Sequence, residues 1–263
     1  MRPVLFKLGD YPFYGYSTMM LLAIIIGVTA ALFEAKKKGI KPRLLLEGAI
    51  FTVIVGLIGA RLLYVALTWD YFSVQPEKIF LLRMTGLSYY GAFLGGALAV
   101  WLWCRWRKLD YWQMADLMSP YLILGYAIVR IGCLLSGCCY GKVSGVYWAV
   151  VIPRVDSLFR HPVQLYASLC AFLIFAFLKV MEPIRPFPGF NLLALGSLYG
   201  LLRFTTEFFR EGTAAWLGLT NAQLFSLVLF VGSTILLYYF KNKAKRACVA
   251  ENTGIKGKKK KRK

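Results

Sequence analysis

Long apolar runs constrain this chain more than any other feature. Hydrophobic residues make up 59% of its 263 residues, and about 20 consecutive apolar residues are enough to cross a hydrocarbon core about 30 Å thick. The sequence therefore predicts an all-α polytopic membrane protein. Seven predicted transmembrane helices follow one another at residues 14–33, 44–68, 87–104, 117–135, 163–180, 192–208 and 222–240.

The connections between these runs are short, so residues 1–240 are predicted to form a single seven-span membrane domain. Residues 241–263 are predicted to be a basic, disordered cytoplasmic tail. The first run is expected to be a permanent span rather than a secretory signal, because it is long and lacks a strongly basic start.

The distribution of basic residues predicts an orientation. The net charge is +20, but one set of alternate connections holds 21 of the Lys and Arg residues and the other set holds 8. The positive-inside rule then places the N-terminus outside and the C-terminus in the cytoplasm. The basic tail is expected to bind anionic lipid headgroups of the bilayer, and no nucleic-acid partner is expected.

Three arginines fall within predicted spans: Arg61, Arg130 and Arg203. Charges cost about 2.5 to 3.5 kcal/mol each in a membrane on insertion scales and usually face the bundle interior or a wet cavity. The predicted topology places all three in the outer halves of their helices, where one outward-facing cavity could hold them. The alternative for each is an arginine that extends its charge to the headgroup region.

Three guanidiniums with little opposing charge call for an anionic ligand, and the planar five-donor fork of arginine suits a phosphate. Glu207 lies four residues after Arg203, on the same helical face, and could orient it. In a membrane the common phosphate belongs to a lipid headgroup, so the sequence predicts a phospholipid site.

Aromatic residues and glycines collect at the same predicted level of the membrane. Tyr14 and Tyr16 begin the first span, and Tyr90 begins the third. An interfacial aromatic belt is an equally good interpretation of these tyrosines. Gly91 and Gly95 have GxxxG spacing, which predicts close approach of two helices.

Six cysteines occur, at positions 104, 133, 138, 139, 170 and 248. A zinc site is not expected, because the chain has one adjacent cysteine pair and a single histidine, His161. A redox role, the other alternative, usually needs an exposed low-pKa pair of the CxxC type. Cys133 and Cys138 are instead expected to be small residues in a closely packed re-entrant turn.

Several motifs appear in an order that resembles a known family. They are "FYGYS", "GARLLYV", "GLSYYGAFLGG", "RIGCLLSGCCYGK", "RHPVQLYAS", "YGLLRFTTEFFRE" and "GLTNAQLFS". Together they resemble the bacterial prolipoprotein diacylglyceryl transferases, which are seven-span enzymes of the cytoplasmic membrane. The resemblance covers nearly the whole chain.

The resemblance implies an activity and partners. It implies transfer of the diacylglyceryl group from phosphatidylglycerol to the lipobox cysteine of a preprolipoprotein signal peptide, with release of glycerol phosphate. It implies no cofactor and no metal, and it implies a multi-pass protein of the bacterial inner membrane.

The matched motifs also imply site residues. Arg130 and Arg203 would bind the phosphate and stabilise charge on the leaving group. Tyr90 and Tyr14 are the other expected catalytic residues. The expected substrate-binding residues are Arg61, Glu207, Gly91, Cys133, Cys138, Gly141 and Tyr199.

The chain departs from the family pattern at three positions. Tyr90 stands where the family usually has His, and Cys133 and Cys138 stand where it usually has Asn and Glu. These changes leave the general base open between Tyr90 and His161, with a structural role favoured for His161. They also leave open a paralogue that uses another acceptor, and a non-enzymatic phospholipid-binding or translocating protein.

Overall fold

A computed structural model describes residues 4–8, 11–79, 87–212, 216 and 218–260 of the chain. Within these ranges, the side chains of residues 6–8, 11–12, 89 and 247–260 are not described.

Helices dominate the described residues, and the few strands are short. The helices are α1 (Gly15–Lys37), α2 (Pro42–Leu67), α3 (Trp69–Val74), α4 (Tyr89–Trp106), α5 (Tyr111–Ser136), α6 (Val163–Met181), α7 (Phe190–Phe208) and α8 (Asn221–Lys260). The strands form two antiparallel pairs, β1 (Val4–Leu8) with β2 (Tyr11–Tyr14) and β3 (Val150–Val151) with β4 (Phe159–Arg160).

Five described helices are long and apolar enough to cross a membrane: α1, α2, α5, α6 and α8. This confirms the predicted helical, multi-pass class of fold. The other two predicted spans coincide with α4 and α7, of which α7 carries the polar residues Asn191, Arg203 and Glu207. Seven spans and the orientation of the termini stay predictions.

The basic C-terminal segment follows the last predicted span without a break, because α8 runs from Asn221 to Lys260. The predicted disorder of the tail from Lys241 stays a prediction. Residues 241–260 contain no proline and are rich in lysine and alanine, which are good helix formers. The boundary of the membrane domain at residue 240 stays a prediction.

Contacts group the chain into two compact units, which are described separately below. The large unit comprises residues 1–30 and 115–263, and the small unit comprises residues 31–114.

The core of the large unit lies where α5, α6 and α7 meet. Its buried members are small or branched apolar residues: Ile123, Ala127, Ala171, Ile174, Leu178, Ala194 and Leu202. The buried Ser168 hydroxyl of α6 donates to the Ala127 carbonyl of α5 at 2.9 Å. Small residues and hydroxyl bonds of this kind hold membrane helices together, because lipid tails are as apolar as leucine.

Two glycines let α7 pack tightly on α8. A Cβ atom at Gly200 would lie 2.8 Å from the Phe230 backbone nitrogen and the Ser226 carbonyl, and one at Gly196 would lie 2.4 Å from the Ser233 hydroxyl. Larger residues would therefore separate the two helices.

The N-terminus of α7 is held by a buried carboxylate. Asp116 of α5 is fully buried and accepts hydrogen bonds from the backbone N–H groups of Gly189 (2.8 Å) and Leu192 (3.1 Å). Arg185 Nη1 lies 3.2 Å from the same carboxylate. Asp116 thus satisfies free N–H groups of the first turn and opposes the positive end of the helix dipole.

In the small unit, α2 and α4 approach each other through glycines. A Cβ atom at Gly91 would lie 2.3 Å from the Gly59 carbonyl oxygen, and one at Gly95 would lie 2.9 Å from the Val55 carbonyl oxygen. Both neighbours are backbone atoms, so neither can rotate away. The close approach predicted from the spacing of Gly91 and Gly95 is confirmed.

Replacing Gly91 with alanine is expected to lower the free energy of unfolding by about 1–3 kcal/mol, as over-packing usually does. The new methyl group would overlap the Gly59 carbonyl and push α2 and α4 apart. Thermal unfolding in detergent measures the effect. The control is Gly96→Ala, also on α4, where the nearest atom to the new methyl lies at 3.7 Å. Equal unfolding temperatures for both variants would contradict the expected clash.

Candidate functional site

The motif of residues 130–142 forms the end of α5 and the turn after it. The helix ends at Ser136, and Gly137 follows with a φ of 68°. Cys139 also has a positive φ, 57°, which side-chain-bearing residues seldom adopt. The Cys138 N–H donates to the Cys133 carbonyl at 3.1 Å. The chain therefore turns back over the end of α5.

Gly141 is the point where this turn meets two other segments. It forms a β-bridge with Arg210, and a Cβ atom at Gly141 would lie 2.4 Å from the His161 carbonyl oxygen. The Lys142 N–H donates to the Phe209 carbonyl at 2.8 Å. Only glycine fits at this junction. A role for Gly141 in substrate binding stays a prediction.

Arg160 ties the same junction together electrostatically. Its buried guanidinium pairs with Asp156 and Glu211, donates to the Gly141 carbonyl at 3.1 Å, and lies 5.0 Å from the centre of the Tyr140 ring. The guanidinium thus contacts the motif turn and the end of α7 at once. Sequence reasoning counted Arg160 only as a loop charge.

The Arg160–Asp156 pair predicts an acid dependence of stability. The hydrogen bond from Arg160 holds the pKa of the Asp156 carboxyl below its usual range. The pair therefore stabilises the fold fully above the unfolded carboxyl pKa of about 4, and this contribution is lost as the pH falls through the lower, folded-state value.

The measurement is the thermal unfolding of the protein and of its Asp156→Asn variant between pH 7 and pH 3. The variant is expected to unfold at a lower temperature at pH 7, with the difference shrinking towards pH 3. A difference that does not change with pH would contradict the assignment. Asp70→Asn is the control, because the exposed Asp70 forms no ion pair with any residue that the structure describes.

Arg130 lies near the end of α5 with its guanidinium over an aromatic ring. The guanidinium carbon is 4.6 Å from the centre of the Tyr126 ring, which in turn meets the Tyr199 ring edge-on at 5.2 Å. No carboxylate of the described residues lies within 4.0 Å of Arg130. The guanidinium therefore packs on a ring face and pairs with no described carboxylate.

Arg203 is held by Glu207, one helical turn later on α7. Arg203 Nη2 lies 3.0 Å from Glu207 Oε2, the contact that their spacing predicts. Glu207 is only 6% exposed and is shared: Arg210 Nη1 lies 3.4 Å from it, and the Thr220 hydroxyl lies at the same distance. The Tyr126 ring on α5 contacts both the Arg130 guanidinium and the Tyr199 ring of α7, one turn before Arg203.

Arg210 is a residue that sequence reasoning missed. It was counted as a loop charge, although it lies three residues after Glu207 and so on the same face. That spacing was the signal available in the sequence. In the structure Arg210 pairs with Glu207 and donates to Cys139 Sγ at 3.8 Å.

Three cysteines meet at the turn, which the sequence did not predict. The sulfur atoms of Cys133, Cys138 and Cys139 all lie within 4.8 Å of one another. The expectation that these residues offer no metal-ligating set rested on the presence of a single adjacent pair. The turn brings Cys133 to that pair as a third possible ligand, which the spacing in the sequence did not indicate.

Hydrogen bonds from the Cys133 and Cys138 thiols hold the pKa of the Cys139 thiol below its usual range. The positive charges of Arg210 and then Arg130 act in the same direction. Cys139 is the one cysteine of the three that sequence reasoning left out of the site.

The N-terminal end of α1 lies in the same region. A Cβ atom at Gly132 would lie 2.8 Å from Met19 Cβ and 3.3 Å from Tyr16 Cα, so α1 packs closely on α5 here. Tyr16 lies near the cysteine cluster and Arg130. Tyr14 is 53% exposed, and its carbonyl accepts a hydrogen bond from Thr18.

The remaining predicted residues, Arg61, Tyr90 and Gly91, lie in the small unit. Arg61 donates to the carbonyl oxygens of Lys78 (2.7 Å) and Ile79 (3.1 Å), and its guanidinium carbon lies 5.3 Å from the Phe72 ring centre. Tyr90 is partly buried in the first turn of α4. The single cavity predicted for all three arginines stays a prediction.

His161 lies in an aromatic cluster. Its Nδ1 is 3.2 Å from the Tyr166 hydroxyl, which accepts a hydrogen bond from Trp148 Nε1 at 2.6 Å. Its ring also packs edge-on against Phe209 at 5.3 Å. These contacts favour the structural role expected for His161.

Three arginines of the large unit together suit an anionic ligand. Arg130, Arg203 and Arg210 lie near the ends of two neighbouring helices, and of the described carboxylates only Glu207 pairs with any of them. Two positive charges remain unbalanced. An anionic group with several oxygens, such as a phosphate ester, could accept hydrogen bonds from them.

Comparison with known proteins agrees with this chemistry. The family described as prolipoprotein diacylglyceryl transferase matches residues 3–239. Three similar proteins are each named phosphatidylglycerol–prolipoprotein diacylglyceryl transferase. The Campylobacter curvus protein is 34% identical over 258 residues, covering 92% of this chain and 94% of its own. The Dehalococcoides mccartyi protein is 32% identical, covering 93% and 96%.

The third relative, from Clostridioides difficile, is 31% identical and covers 93% of this chain and 98% of its own. The matches extend over nearly the full length of both partners, and the family resemblance predicted from the motifs is confirmed. The chain belongs to the prolipoprotein diacylglyceryl transferase family and is an enzyme of that family.

Proposed function

We propose that the protein transfers the diacylglyceryl group of phosphatidylglycerol to the lipobox cysteine thiol of a preprolipoprotein, forms a thioether and releases glycerol phosphate. Family membership and the names of the relatives support this activity. The structural observation that carries it is the group of three arginines, Arg130, Arg203 and Arg210, balanced by Glu207 alone among the described carboxylates.

The proposed location is the bacterial inner membrane, with seven spans. The helices α4 and α7 would add to the five apolar ones. An odd number of spans would put the termini on opposite sides of the membrane, with the N-terminus outside and the C-terminus in the cytoplasm. The asymmetry of lysine and arginine between alternate connections supports this orientation. The basic segment from residue 241 would then lie against anionic lipids of the cytoplasmic leaflet.

Arg130 and Arg203 would bind the phosphate of the lipid headgroup. Neighbouring guanidiniums on α5 and α7 can each present two N–H donors to phosphate oxygens. Glu207 would set the direction of Arg203, because it accepts from that side chain at 3.0 Å. Arg210 would add positive charge at the same carboxylate, because its Nη1 lies 3.4 Å from Glu207 Oε1.

The reaction is a displacement at carbon. The acceptor sulfur attacks the carbon of the diacylglyceryl group that is esterified to the phosphate. The bond between this carbon and oxygen breaks, and its electron pair stays on the phosphate oxygen of the released glycerol phosphate. Because charge grows on the departing phosphate, fixed guanidiniums stabilise the transition state more than the bound lipid. The thiol proton must pass to a base, for which Tyr90 and His161 stay the candidates.

The other predicted residues would line the path of the lipid and the peptide. Tyr14 ends β2, Tyr16 lies in the first turn of α1, and Tyr199 lies one turn before Arg203. Cys138 and Gly141 lie in the turn after α5, and Cys133 lies in the last turn of that helix. Roles of Arg61, Tyr90 and Gly91 in substrate binding stay predictions.

The direct experiment incubates purified protein with phosphatidylglycerol and a lipobox peptide. Mass spectrometry of the peptide is expected to show a diacylglyceryl thioether, with one glycerol phosphate released per modified peptide. A peptide with serine in place of the lipobox cysteine is the matched control and should stay unmodified. Absence of both products from folded protein would contradict the proposal.

A second candidate is a paralogue that uses another acceptor, favoured by Tyr90 and Cys138 at positions where the family usually has His and Glu. Complementation distinguishes the two. The gene is expected to restore growth of cells depleted of their own transferase. Glycerol phosphate release without growth or peptide modification would favour the paralogue instead.

A further inference from the structure

The three thiols at the end of α5 have a geometry that suits a metal ion. Metal–sulfur bonds of about 2.3 Å place three thiolate ligands about 3.8–4.0 Å apart around one ion. The sulfur atoms of Cys133, Cys138 and Cys139 already lie within 4.8 Å of one another. The separations therefore exceed the ligand spacing by at most about 1 Å.

The backbone of the turn makes this convergence possible. Neighbouring residues in a regular helix or strand point in different directions, yet Cys138 and Cys139 both reach Cys133. The left-handed conformation of Cys139, with φ at 57°, reverses the chain at this point. Such a conformation is strained for any residue other than glycine, and strained residues concentrate at functional sites.

Hydrogen bonds hold the turn in place. The Cys138 carbonyl accepts from Gln164 Nε2 at 2.7 Å, and Gln164 is only 1% exposed. The Cys138 N–H is bound to the Cys133 carbonyl. The three thiols are therefore presented by a fixed scaffold, which lowers the entropic cost of binding an ion. Cys133 is buried, whereas Cys138 and Cys139 are partly exposed and leave a way in.

Charge and ligand number select the type of ion. Three thiolates around a monovalent cation carry a net charge of −2, and Arg210 Nη2, which lies 3.8 Å from Cys139 Sγ, offsets part of it. Soft thiolate ligands favour Cu(I) and Zn(II). Structural zinc sites are almost always four-coordinate, with Cys or His ligands. The described Cys, His, Asp and Glu residues supply only these three.

We propose that Cys133, Cys138 and Cys139 form a trigonal binding site for a soft monovalent cation, Cu(I), at the end of α5. The site goes beyond the transferase activity and can be tested without it. A bound ion would also lie beside Arg130, where the phosphate of the lipid is proposed to bind.

The test titrates reduced, purified protein with Cu(I) under anaerobic conditions against a coloured Cu(I) chelator. The protein is expected to withdraw one equivalent of copper from the chelator. A variant with serine at Cys104, Cys170 and Cys248 should bind the same single equivalent, because it keeps the three proposed ligands. X-ray absorption of this loaded variant should show three sulfur neighbours at about 2.3 Å.

Single serine substitutions at Cys133, Cys138 or Cys139 are expected to weaken Cu(I) binding by more than about 100-fold. Loss of a group that only hydrogen-bonds to a metal ligand already costs about 10–100-fold in metal affinity. Circular dichroism and size-exclusion chromatography identify variants that still fold. The proposal is wrong if a folded variant lacking all three cysteines binds copper as tightly as the parent. It is equally wrong if the parent cannot compete with the chelator, or if fewer than three sulfurs surround the ion.

Discussion

Replacing Arg130 with alanine is expected to lower the rate of glycerol phosphate release by about 10²–10³-fold, the usual cost of losing one group that stabilises transition-state charge. Within the described part of the chain, the Arg130 guanidinium contacts the Tyr126 ring and no carboxylate. Its charge is therefore available to the phosphate. Arg203→Ala should also reduce the rate strongly, although Glu207 already neutralises part of the Arg203 charge.

The measurement is product release by purified protein with phosphatidylglycerol and a lipobox peptide. Arg130→Lys keeps the charge but loses the planar fork, so its rate should fall between those of the parent and Arg130→Ala. Arg43→Ala is the control, because the Arg43 side chain is 90% exposed and pairs only at the surface. If Arg130→Ala folds normally and turns over at the parent rate, Arg130 does not bind the phosphate.

Replacing Asp116 with alanine is expected to destabilise the fold by about 1–3 kcal/mol for each buried backbone donor left without a partner. The change would leave the Gly189 and Leu192 N–H groups without an acceptor at the start of α7. It would also leave Arg185 without its carboxylate. Because α7 carries Arg203 and Glu207, activity should fall together with stability.

Thermal unfolding in detergent measures this effect, and Asp110→Ala is the matched control. Asp110 also caps a helix, by accepting the Gln113 N–H at 3.0 Å, but it is exposed. Loss of an exposed cap typically costs about 1 kcal/mol. A smaller effect at Asp116 than at Asp110 would show that the buried cap is not a main support of α7.

Local contacts were the part of the site that could be predicted from the sequence. Arg203 and Glu207 are four residues apart on one helix, so their contact follows from helix geometry alone. Gly91 and Gly95 likewise predicted a close helix pair through their spacing. In both cases the periodicity of a single helix carried the information.

Contacts between distant segments could not be predicted in this way. The pairing of Arg160 with Glu211 joins residues that are 51 positions apart, and the contact of Arg210 with Cys139 spans 71 positions. Asp116 directly precedes the predicted span 117–135, and it caps a helix 73 residues later. No local pattern encodes which distant partner a charged side chain will find.

The sequence by itself determined the class of fold and the family. Apolar runs of membrane-spanning length favour helices, because a helix satisfies its backbone hydrogen bonds within the segment. Seven ordered motifs identify the relatives. The tertiary structure alone decided the arrangement of the site. Whether Cys133 meets Cys138 and Cys139 depends on one left-handed residue after the end of α5, and a backbone reversal of that kind is selected by the packing around it.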